Sequence, residues 1–142
     1  MRAIIFVVLL AGCAHVAATR ATFSRQADGP VVLRLARHLD TIVRGPDSEE
    51  DQFLELKLQR AKPGQRLRIP SDDVAVHFSA QRFGPESQGK TYRGYVVVKR
   101  ESPTEIVATL KLEVTAQTAS GDYKQTARFR GDFTFLRESS HD

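Results

Sequence analysis

From Leu54 onward the chain alternates apolar and polar residues with a period of two. Leu54, Leu56 and Leu58 share one face, and Glu55, Lys57 and Gln59 share the other. That period puts successive side chains on opposite sides of a half-buried strand. Pro63-Gly64 marks a turn, after which Leu67 and Ile69 oppose Arg66 and Arg68. Val74, Val76, Phe78 and Ala80 then alternate with Asp73, Ala75, His77 and Ser79. The stretch Tyr92 to Lys99 differs, because Val96-Val97-Val98 is apolar on both faces, which predicts an inner place in the sheet. Glu101-Ser102-Pro103-Thr104 turns the chain into the longest strand, with Ile106, Ala108, Leu110, Leu112 and Val114 facing inward. After a turn at Ser120-Gly121-Asp122, the last strand places Ala127, Phe129, Phe133 and Phe135 inward and Arg128, Arg130 and Asp132 outward. Gly131 interrupts the inward row, which predicts a bulge or a close crossing.

Residues 31–44 fit two templates. Val32, Leu35, Ala36, Leu39, Ile42 and Val43 make a helical stripe between Pro30 and Gly45-Pro46. Read instead as a strand, Val31, Leu33, Leu35 and Leu39 share a face, and Asp28-Gly29-Pro30 turns the chain from a strand over Thr22 to Gln26. The β character downstream favours the strand. Short turns between alternating segments imply antiparallel pairing, so the expected fold is all-β: a sandwich or small barrel of about seven or eight strands over residues 22–138. A membrane-spanning barrel alternates in the same way, but most of these strands are too short for it and no aromatic girdle is visible.

The first residues carry a different signal. Met1-Arg2 is a short positive start, Ala3 to Leu10 is unbroken apolar chain, and Ala11-Gly12-Cys13 is a small-residue exit. The apolar run is too short for a membrane-crossing helix and reads as a signal peptide over residues 1–12. Leu10-Ala11-Gly12-Cys13 resembles the lipobox of bacterial lipoproteins. The resemblance covers this segment alone. It implies cleavage before Cys13, a thioether-linked diacylglycerol on that thiol, and anchorage to the lipid bilayer by two or three acyl chains, which hold far more firmly than one. Ala14, where an aspartate would retain such a protein at the inner membrane, points to the outer membrane and its periplasmic face if the source is Gram-negative. Residues 13–21 read as a lipidated tether and 139–142 as a tail.

Composition narrows what remains. The 142 residues are 41% hydrophobic and 27% charged with a net charge of +4, which is ordinary globular usage. A domain of this size buries enough surface to stand without disulfides, and Cys13 is the only cysteine. Of the four histidines, His15 falls in the tether, His141 in the tail, and His38 and His77 on polar faces; none has a second ligand at metal spacing. The acidic run Asp47-Ser48-Glu49-Glu50-Asp51 lacks the glycine and terminal glutamate of a calcium loop and reads as solvated, as does Asp72-Asp73. Arg66, Arg68, Arg128 and Arg130 project outward, but Glu55, Glu113 and Asp132 lie among them, so cross-strand charge pairs are the simpler account. No nucleophile elbow, phosphate loop or dinucleotide fingerprint occurs. No catalytic residue, cofactor site or metal site is therefore assigned, and nucleic acid is not an expected partner.

These observations lead to an exported, non-catalytic interaction module that meets an envelope protein partner. That reading expects Phe129, Phe133 or Phe135 partly outside the core and an exposed apolar or aromatic patch. A small-ligand or lipid carrier is the alternative, and expects the same rings around a void. An enzyme would need a cleft where acidic residues or His77 converge.

Overall fold

A computed structural model describes residues 14–27, 29–41, 49–81, 83, 89–117, 121 and 124–139. Residues 1–12, read above as a signal peptide, Cys13 and His141 lie outside them. Eight strands account for nearly all of the described chain: β1 (Ala14–Arg25), β2 (Val31–Thr41), β3 (Glu49–Leu58), β4 (Arg66–Ile69), β5 (Val74–Ala80), β6 (Thr91–Glu101), β7 (Glu105–Gln117) and β8 (Lys124–Arg137). They form one sheet in the order β4-β6-β7-β8-β1-β2-β3-β5, curled into a nearly closed barrel.

The hairpins β1–β2–β3 and β6–β7–β8 follow the predicted meander. Gln65 N–H bonds to Lys62 O across Pro63-Gly64, where Gly64 takes φ +83°. The Ser102 hydroxyl accepts from Thr104 and Glu105 N–H and closes the β6–β7 turn. Residues 31–41 are strand, and pairing along both edges decides between the two templates: Leu35 sits between Ala21 of β1 and Leu54 of β3. The segment expected as a tether is instead strand, paired with β2 from Ala14↔Thr41 onward. Its alanines and threonines carry no amphipathic signal in the sequence, and the ladder to β2 is what marks it as strand. Gly131 makes no bulge; it pairs in register with Leu110 and takes φ +123°.

The strands β4 and β5 run in the same direction and nearly in line. The first pairs with β6 and the second with β3, so together they make one pass of the wall. The barrel thus has seven passes. An up-and-down wall with an odd number of passes brings its first and last strands together parallel, and β1 and β8 pair that way at Thr22↔Leu136 and Phe23↔Arg137.

The inward rows fill the barrel. Phe23, Leu33, Leu56, Leu58, Phe78, Val96, Ile106, Leu110, Leu112, Phe129 and Phe135 are all buried. At about 25 cal/mol per Å² of apolar surface, this core supplies most of the drive to fold. Outside, one row in register runs Leu136, Thr22, Arg34, Glu55, His77. A lipid-facing band would carry few such groups.

Candidate functional site

Two regions depart from a plain apolar-in, polar-out barrel. The first is inside, at the rim where β1 begins. Strand alternation points Arg37 of β2 and Glu50 and Gln52 of β3 inward, one layer above the apolar row Leu35, Leu54, Phe78. Glu50 and Gln52 are only 4% and 3% exposed. The acidic run is therefore not a solvated loop where the chain is described: Glu49 opens β3, Glu50 turns into the barrel, and Asp51 turns out to meet His38 Nδ1 at 2.7 Å.

The inner groups form a short chain of hydrogen bonds. Arg37 Nε donates to Gln52 Oε1 at 2.8 Å, and Gln52 Nε2 donates to Glu50 Oε2 at 2.9 Å. The Arg37 guanidinium lies 3.8 Å from the centroid of the buried Phe129 ring. Burial pushes Arg37 down to about 10, partly opposed by the Glu50 carboxylate, so it stays charged at neutral pH. Replacing Gln52 with Leu leaves two desolvated polar partners and should destabilise the fold by about 1–3 kcal/mol. Arg37→Met keeps the stem but leaves the Gln52 amide oxygen unpaired and the buried Glu50 carboxylate without its cation, so it should cost at least as much. Urea unfolding of both variants checks the order; a clearly smaller loss for Arg37→Met would mean that the Glu50 carboxylate does not depend on the guanidinium.

The second region is outside, on the face of β1, β2, β3 and β5. Phe53 stands 53% exposed between Ala36 and Ser79, in an open groove of about 260 Å³ with Arg20, Thr22, Arg34, Glu55 and His77 around it. Arg34 is the hub. Its Nε donates to Glu55 Oε2 at 3.0 Å, and its Nη1 donates to Glu138 Oε1 at 2.7 Å and to Ser24 Oγ at 3.2 Å. Thr22 Oγ1 also donates to Glu138. One guanidinium thereby ties the C-terminal end to three strands.

The predicted basic residues are largely engaged. Arg128 and Arg130 share the Glu113 carboxylate, and Arg66 stacks on Tyr95 at 4.1 Å. Asp132 meets Lys99 and the Thr109 hydroxyl. The Arg34 hydrogen bond holds the Glu138 carboxyl below the usual range, Arg128 does the same for Glu113, and Thr109 then Lys99 for Asp132. A carboxyl depressed in the folded state stabilises above its unfolded value near pH 4, and that stability disappears as pH falls through the folded value. Melting temperature should therefore hold from pH 7 to about 5 and decline below about 4. Glu138→Gln should flatten that decline, and an unchanged acid limb would refute the assignment.

Among the described residues no group of three or more His, Cys, Asp or Glu gathers in a metal-binding arrangement. His77 faces outward across from Glu55, at the edge of the groove. Of the three aromatic rings singled out in β8, Phe129 and Phe135 are fully packed, and Phe133 is half-buried 6.4 Å from Phe135. The sequence also carries a signal for Phe53, which the reading above does not use: its place among the outward residues Asp51, Glu55 and Lys57 marks it as an exposed aromatic. No protein-family model, curated protein or solved structure matches the chain.

Proposed function

We propose that the protein is an envelope lipoprotein, anchored through acylated Cys13, whose barrel is a non-catalytic docking module. The observation that carries the reading is Phe53. A large aromatic held in water on a rigid sheet face, ringed by Arg20, Arg34, Glu55 and His77, has the make-up of an interface centre with an apolar anchor and a polar rim. The partner is an envelope protein. Because β1 starts at Ala14, the residue after the acylated position, the barrel rim would sit directly on the lipid surface and the groove would face along it.

The carrier alternative draws less support. Phe129 is closed off by Phe78, edge-on at 5.9 Å between centroids, and by Arg37, so this ring lines no void.

The test is cross-linking in native membranes with three proteins: the wild type, Phe53→Ser and Cys13→Ser. A stoichiometric partner that is lost in both variants supports the reading. Phe53→Ser itself should cost no more than about 1–2 kcal/mol, since about half of the side chain is exposed. A partner retained at full yield by Phe53→Ser would overturn the assignment of the groove.

A further inference from the structure

We infer that the space between β1 and β8 is a strand-acceptor site for an extended peptide of a partner, running antiparallel to both strands with acidic residues on its outward face. It adjoins the Phe53 groove, with Arg20 at the border of both, and goes beyond that reading.

The backbone makes the first argument. β1 is strand from Ala14 and β8 from Lys124, and each is paired along its far side, β1 with β2 from Ala14↔Thr41 and β8 with β7 from Gln117↔Lys124. Between them, among the described residues, the ladder holds only Thr22↔Leu136 and Phe23↔Arg137, extended by Glu138 N–H to Phe23 O at 2.9 Å. Residues 14–21 and 124–135 therefore turn two strand edges toward each other with no ladder joining them. Such edges are templates for an added strand. Topology makes the second argument. The parallel contact follows from the odd number of passes, and one inserted strand antiparallel to both neighbours would give eight passes and an antiparallel barrel throughout.

Side chains say what kind of strand fits. Thr19 holds an inward position, paired with Arg37, yet is exposed, so the wall is open beside it. Arg37 uses Nε on Gln52, and its Nη groups have no hydrogen-bond partner among the described residues. Phe133 is half-buried on the same inner side. Small apolar residues suit the inward positions of the guest. On the outer flanks stand Arg20, Arg128, Arg130 and Lys99. Glu113 is shared by Arg128 and Arg130, Asp132 is held by Lys99 and Thr109, and Glu138, bonded to Arg34, lies near Arg20. That surplus of positive charge selects acidic residues. The other seam contrasts with this one: Lys90 Nζ donates to Phe78 O on the β5 edge at 2.8 Å, placing a lysine where an incoming strand would pair.

The experiment uses the full-length Cys13→Ser protein and a fluorescent ten-residue peptide of alternating Glu and Val. Two controls accompany it: the same peptide with alternate amides N-methylated, which cannot form a ladder, and an Arg20→Cys/Thr134→Cys protein. Continuing the register from Thr22↔Leu136 sets residues 20 and 134 opposite each other, so their disulfide would staple the gap shut. Saturable binding is expected, weakened about tenfold in high salt, lost with the methylated peptide, lost in the oxidised staple and regained on reduction. Absence of binding up to millimolar peptide overturns the proposal, as does equal binding of the methylated peptide. Binding that appears only after residues 1–12 are removed would assign the gap to the chain's own N-terminal segment and overturn the partner. Phe53→Ser should leave peptide binding unchanged, so this site and the groove fail or stand independently.

Discussion

Replacing Gly94 with Ala is expected to abolish folding or to destabilise the barrel by more than about 4 kcal/mol, a loss large enough to need a specific cause. Gly94 lies in β6, pairing with Ile69 on one side and Leu112 on the other, at φ +148°. A Cβ there would fall 1.7 Å from the carbonyl oxygen of Lys111, well inside any permitted contact. That oxygen belongs to backbone paired on both sides, so it has no free direction in which to move. Gly131→Ala separates the two contributions: its φ of +123° is comparable, but a Cβ would meet open space. It should cost only about 1–2 kcal/mol of conformational strain. Denaturant unfolding by circular dichroism measures both, and a Gly94→Ala protein within 1 kcal/mol of Gly131→Ala would refute the clash argument.

Phe129→Ala comes next, with an expected loss of about 3–5 kcal/mol. The ring is fully buried, meets Phe78 edge-on and supports the Arg37 guanidinium. Truncation removes the packing and leaves a desolvated cation facing a cavity. A double-mutant cycle with Arg37→Met should give a coupling of about 0.5–2 kcal/mol. A coupling near zero would show that the stack is only proximity. The same variants bear on function, because Arg37 stands beside the β1–β8 gap: under conditions where it is folded, Arg37→Met should alter what the gap accepts.

How much of this was legible beforehand follows from what each signal encodes. Alternation is local, and it placed β3 through β8 and their inward faces, down to the buried rows Leu54-Leu56-Leu58 and Ile106 to Val114. The interspersed acids already implied that Arg128 and Arg130 would find a carboxylate. Residues 31–41 satisfied two periods at once, because Leu35 and Leu39 fit both, and only the ladders to β1 and β3 separate them. The start of β1 carries the opposite difficulty: Ala14 to Ala21 has no apolar period in the sequence, and the ladder to β2 defines it as strand. Glu50 was misjudged as solvated since five polar residues in a row look like a loop, whereas the pleat sends every second one inward.

The sequence by itself determined the class of fold, the inward faces of most strands and the lipobox-like start, since each rests on neighbours a few residues apart. The tertiary structure alone decided that β4 and β5 make a single pass, that the barrel closes on a short parallel contact, and that Arg37 reaches Phe129. Those depend on how many times the wall is crossed and on which strands meet at its seam. They are sums over the whole chain, and no window of residues contains them.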